Sequence, residues 1–132
     1  MRPVAPVFQI YRFIGDDVVW WRLVSPNGRG LARGTVGAPD PAAARESVEV
    51  VRATVDQLVT VLRLTETYRW RWLLTEADVP VVQGVGDQDR RVRCANACRS
   101  FVELGRHAGV DPVLATFRRG SAAPVGARTA TR

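Results

Sequence analysis

The sequence predicts an α+β domain: two tandem β-β-β-α repeats, each completed by a further strand. Three observations lead there. Set against itself at an offset of about 50 residues, the chain places "FQIYRF" from Phe8 over "LVTVLR" from Leu58 and "LARG" from Leu31 over "VVQG" from Val81; "AARESVEVV" from Ala43 falls over "RCANACRSF" from Arg93. Short alternating segments are separated by turn residues, as in an antiparallel meander. Each meander is followed by one segment of helical periodicity.

The elements follow in order. "VFQIYRFI" alternates and stops at Gly15-Asp16-Asp17, a hairpin-type turn. "VVWWRLVS" is the second strand and ends at Pro26-Asn27-Gly28; "RGLARGTVG" is the third. Asp40 caps a helix with Pro41 at its first position, and Ala44, Val48, Val51 and Val55 form one apolar stripe. Residues 56–64, "DQLVTVLRL", could prolong that helix. Val59, Thr60 and Val61 favour a strand instead, and so does the internal match. Between the matched anchors, "WRLVS" from Trp21 meets "WRWLL" from Trp70 at offset 49, while offset 50 pairs Trp20 with Trp70. The turn "TEADVP" lacks Asn-Gly and must differ from its counterpart. Asp89 is placed to cap a second helix reaching about Gly105, with Val92, Ala95 or Cys94, Cys98, Phe101 and Val102 on its stripe; "DPVLATF" closes the pattern as a short strand. This divides the chain into residues 7–56, 57–117 and a basic tail, 118–132, whose small and polar composition predicts disorder.

"FQIYRF…WWRLVSPNGRGLARG" followed by an alanine-rich helix resembles the YegP-like family, a small bacterial and archaeal domain of unknown function that occurs singly or in tandem. The resemblance spans roughly residues 7 to 117 and is specific at Trp21, Arg22, Leu23, Asn27 and Gly28. It implies one continuous antiparallel sheet with both helices on one face and C-terminal strands exchanged between the repeats. It implies no reaction and no cofactor.

A chain of 132 residues, 46% hydrophobic and 24% charged, suits one globular unit with a real core. No stretch approaches the roughly 20 apolar residues of a membrane span, and "MRPVAPVFQIYRF" lacks the apolar run of a secretory signal, so a cytoplasmic protein with no membrane partner is expected. All 19 basic residues are arginine, which reflects GC-rich codons more readily than a function. Four of them, Arg118, Arg119, Arg128 and Arg132, follow Phe117 with no acid, leaving 15 against 13 acidic residues in the body. Such a tail can attract nucleic acid weakly, although a solubilising end is the preferred reading. Arg118-Arg119-Gly120-Ser121 also matches a basic-directed kinase site.

"YRWRWLLT", residues 68–75, alternates aromatic and arginine. In a strand Tyr68, Trp70, Trp72 and Leu74 share one face and Arg69, Arg71 and Leu73 the other. Trp70, Trp72, Trp21 and Leu23 are expected beneath the helices. The opposite face then carries Trp20, Arg22, Arg69 and Arg71, the candidate binding face. Its first expected partner is a protein, or a second copy in a homodimer, because Trp and Arg are favoured interface anchors. Its second is single-stranded nucleic acid, with bases stacked on Trp20 and phosphates on arginine. An enzyme is not expected: the chain has one histidine, His107, and no nucleophile elbow, phosphate loop or acidic cluster. Cys94, Cys98 and His107 fit no common zinc spacing, so the cysteines are read as buried thiols and no metal is expected.

Overall fold

The computed structural model describes residues 5–120. Seven strands and two helices run in the order β1 (Val7–Phe13), β2 (Val19–Val24), β3 (Gly30–Gly34), α1 (Pro41–Thr54), β4 (Val59–Leu64), β5 (Trp70–Glu76), β6 (Val79–Gly84), α2 (Arg91–His107) and β7 (Gly109–Phe117). A single turn of 3-10 helix, Val55–Gln57, links α1 to β4, so residues 59–64 are a strand and not a helical extension.

All the strands join one sheet in the order β4-β5-β6-β3-β2-β1-β7. Neighbours are antiparallel except β1 and β7, which are parallel, so the sheet is mixed where the family resemblance implied a wholly antiparallel one. The cause is the crossover: β7 follows α2, and a strand returning over a helix can pair in parallel, which a tight hairpin cannot do.

Both helices lie on one face, over a single hydrophobic core. Ala44, Val48 and Val51 of α1 and Cys94, Cys98 and Phe101 of α2 enclose it with Phe8, Ile10, Trp21, Leu23, Trp72, Leu74 and Val82 from the strands. The α1 stripe is buried as its spacing requires, and the Asp40 side chain accepts a 2.8 Å hydrogen bond from the Ala43 N–H. The α2 start differs from expectation. Arg90, not Asp89, occupies the cap position and offers no side-chain acceptor; Asp89 lies one residue earlier and pairs with Arg93. Val92 points outward, because the buried positions step from Cys94 to Cys98, Phe101 and Gly105.

Trp21 and Trp72 each lie across a glycine on the next strand, Gly34 and Gly84, where an added Cβ would overlap the indole ring. That close approach lets a flat indole cover the sheet beneath a helix. The arrangement also corrects the aromatic-arginine alternation. Tyr68 has a left-handed backbone (φ 60) and belongs with Arg69 to the turn, so the strand begins only at Trp70. The turn after it, Ala77-Asp78, is a two-residue hairpin with both residues at positive φ, joining the paired Glu76 and Val79.

Candidate binding face

Strand alternation fixes which side chains reach the helix-free face. Cross-strand pairing places Gln9 opposite Arg22, Arg22 opposite Arg33, and Arg33 opposite Gln83. One step along, Arg63 of β4 stands directly opposite Arg71 of β5. Directly opposed residues share a face, so this surface holds two cross-strand arginine pairs, an arrangement that destabilises a sheet in isolation. Among the described residues, ion pairs join Arg69 to Asp87, Arg119 to Asp16, Arg52 to Glu49, Arg93 to Asp89 and Arg106 to Asp56, and none neutralises Arg22, Arg33, Arg63 or Arg71.

Beside the arginines lies a second, smaller hydrophobic cluster: Tyr11, Ala115 and Phe117, with Phe13 and Trp20 packed against it. Tyr11 meets Phe117 edge-on at 5.6 Å and Phe13 at 5.9 Å. The Arg22 guanidinium roofs this cluster, 4.8 Å from the Phe117 ring centre and 5.5 Å from that of Tyr11, while its Nε donates to Gln9 Oε1 at 2.8 Å. Burial works against the charge of Arg22 and lowers its pKa; it also raises that of the Tyr11 phenol, which the Arg33 and Arg22 charges partly oppose. With its amide oxygen turned toward β3, Gln83 accepts from Arg33 Nε and Nη2 at 2.7 Å. Two shallow hollows flank the cluster, one of about 400 Å³ between Arg22, Arg29, Arg33 and Phe117, the other of about 280 Å³ between Trp20, Arg33, Gln83 and Arg119. Larger hollows on the opposite side run beside the helices and are mostly apolar, the first bordered by Trp70, Trp72 and Phe101.

Of the residues read from the sequence, Trp20, Arg22 and Arg71 stand on this face. Arg69 does not act with them: it lies in the β4–β5 turn and is held by Asp87 through Nε. Arg119 opens the basic tail read from the sequence, and the Ile14 N–H to Phe117 carbonyl bond brings the end of β7 against the β1–β2 turn. There Arg119 pairs with Asp16 and covers Phe13, 4.9 Å from the ring centre, while Arg118 is exposed. Arg128, Arg132 and Ser121 lie outside the described residues. Sequence reasoning missed Tyr11, Phe13, Phe117, Arg33 and Arg63. The alternation of "FQIYRF" carries the signal for the first two, since Phe8 and Ile10 in the core force Tyr11 and Phe13 to the other side.

Cys94 and Cys98 are buried on the core side of α2, where Cys98 Sγ approaches Thr60 Oγ1 at 3.7 Å. Burial is the main cause that pushes both thiols up, with the neighbouring Cys98 adding to the effect at Cys94. His107 is exposed at the end of α2. Among the described residues no helix is long and apolar enough to cross a membrane.

No family model matches the sequence, and no curated protein matches it. Two solved structures share the fold. The protein of unknown function yegP from E. coli aligns over 90% of this chain and 97% of its own, at TM-score 0.66 and 15% identity. UPF0339 protein SO3888 from Shewanella oneidensis aligns over 83% of this chain and 92% of its own, at TM-score 0.66 and 12% identity. At that identity the likeness establishes the fold alone.

Proposed function

We propose that the chain is a tandem-repeat member of the YegP-like family and acts as a non-catalytic binding module whose helix-free sheet face receives an anionic partner, in the first place an acidic protein surface. In this reading β7, the closing strand of the second repeat, covers β1 of the first, an exchange consistent with their parallel pairing. The repeats are out of step by a drifting amount. Ile10 and Leu62, paired with Trp21 and Trp72, are 52 apart; the tryptophans are 51 apart; Gly34 and Gly84 are 50 apart. The counterpart of Trp21 is therefore Trp72, not Trp70, and Trp70 corresponds to Val19, both residues bridging to the loop before a helix.

The observation that carries the functional reading is the pair of opposed arginine couples, Arg22–Arg33 and Arg63–Arg71, on a face where no carboxylate neutralises them among the described residues. Like charges set opposite one another cost stability that a negatively charged partner would recover. A second reading, single-stranded nucleic acid, is favoured by the half-buried Trp20 and Phe13 rings beside the same guanidinium groups.

The test is titration of labelled poly-glutamate and labelled oligo-dT, over a salt series, against the wild type, Arg22→Gln/Arg33→Gln and a charge-matched control, Arg99→Gln/Arg106→Gln on α2. The proposal expects the face variant to lose at least about tenfold in affinity and the control to change little. Tighter binding of oligo-dT than of poly-glutamate at equal salt selects the nucleic-acid reading; equal loss in both variants rejects the face.

A further inference from the structure

The sheet has two edges, and they are built differently. At the β7 edge the ladder with β1 is broken by a register shift between Phe8 and Ile10. Pro112 contributes no N–H there, its carbonyl is taken by Arg45 Nη2 at 3.1 Å, and the Val113 N–H is taken by Asp111 Oδ1 at 2.9 Å. Proline and bulges are among the devices by which proteins keep an edge from pairing.

The β4 edge has none of them. Val59–Leu64 pairs with β5 in unbroken register, contains no proline and carries one charge, Arg63. The Thr65 N–H to Arg69 carbonyl bond closes the β4–β5 ladder, so Arg63, Val61 and Val59 direct their backbone groups to β5. In an antiparallel ladder the intervening residues face the other way. Thr60, Leu62 and Leu64 thus present their N–H and C=O groups off the edge of the sheet. Val59 and Leu64, at the two ends of the strand, are 60% and 48% exposed. β1 and β4 each open a three-strand meander, yet among the described residues only β1 has a strand on its outer side.

We infer that the β4 edge is a self-pairing surface, and that its occupant is β4 of a second copy of this chain, antiparallel about a two-fold axis through Leu62. The outward groups fix the register. Only even-numbered residues can exchange hydrogen bonds, and the register through Leu62 uses all three, setting Thr60 against Leu64 and Leu62 against its own copy. On the helix-free side it places Arg63 against Val61 of the second copy, so no arginine faces an arginine, whereas a shift of one step toward the C-terminus would oppose Arg63 to itself. The two seven-stranded sheets would then run on as one. Arg63 is shared with the sheet face proposed for the partner, but the Arg22–Arg33 couple and Trp20 take no part, so the Val61 variants and the Arg22→Gln/Arg33→Gln variant test the two readings separately.

The test is sedimentation velocity over a wide concentration range, with hydrogen exchange at low and high concentration. Val61→Arg sets arginine against Arg63 twice per dimer and is expected to weaken association roughly fivefold or more, while Val61→Glu strengthens it and Val61→Arg/Arg63→Glu restores it. The amides of Thr60, Leu62 and Leu64 become protected in the dimer. A wild type that stays monomeric at every concentration overturns the inference. So does a dimer indifferent to Val61→Arg whose β4 amides exchange freely, which would place the contact elsewhere. The exchange readout on the wild type holds even if a Val61 variant fails to fold.

Discussion

Trp21 is 3% exposed and lies across Gly34, with Phe8 edge-on at 5.5 Å, while Trp20 points the other way and only leans on the Tyr11 cluster. Trp21→Ala is therefore expected to cost about 3–5 kcal/mol, as deletion of a buried aromatic does. Gly34→Ala, by forcing the indole aside, should cost about 1–3 kcal/mol. Trp20→Ala should cost clearly less than Trp21→Ala. Urea melts of the three variants check this order, and equal losses at Trp20 and Trp21 would refute the assignment of faces. At this scale the sequence was readable where parity sufficed: Trp21, Leu23 and Trp72 are core as alternation with helices on one side requires. It was not readable where a contact depends on the register between neighbouring strands. Arg22 meets Arg33, and Arg63 meets Arg71, through hairpin registers that no local pattern specifies.

The helices show how a capping signal succeeds in one place and fails in another. Asp40-Pro41 delivers both a side-chain acceptor and a preset φ, and α1 begins there. α2 begins at Arg91, after Asp89-Arg90, where Arg90 has an extended backbone suited to a cap (φ -133, ψ 144) but no acceptor. Arg90→Asp should supply one and raise stability by about 0.5–1 kcal/mol, whereas Asp40→Ala should lower it by about 1 kcal/mol. Denaturant midpoints measure both; a loss on Arg90→Asp would mean that the arginine makes a contact worth more than a cap. The strand content was legible from alternation and turn residues. The direction of β7 was not, because "DPVLATF" has the same composition whichever way it pairs, and only the passage over α2 sets it parallel to β1.

The whole molecule is a sheet with its two sides put to different ends: one sealed by helices, the other left with a small aromatic cluster beneath arginine. Its buried acids define a pH response. Cys94, Cys98 and Tyr11 all have pKa values raised chiefly by burial, so the folded state retains protons that the unfolded chain releases. Their stabilisation is complete below the unfolded thiol value, about 8.5, and is lost as pH rises through the higher folded values. The thermal midpoint should fall from about pH 8.5 upward, and Cys94→Ala/Cys98→Ala should flatten the first part of that fall. A midpoint that rises over this range would contradict the burial of the three groups. The existence of two faces was legible in the sequence; the identity of the free face as arginine opposed to arginine was not.

The most direct test of the central claim joins stability to binding at one residue. Arg33→Glu replaces a repelling pair with an attracting one opposite Arg22, and it removes charge from the face proposed to hold the partner. Affinity capture from a lysate of the source cell with wild-type and Arg33→Glu protein, alongside their melting midpoints, gives the answer. The account predicts that Arg33→Glu melts higher, by an amount equivalent to about 0.2–1 kcal/mol, and loses an acidic partner that the wild type retains. A variant that captures the same partner undiminished would show that the arginine face is not the binding face.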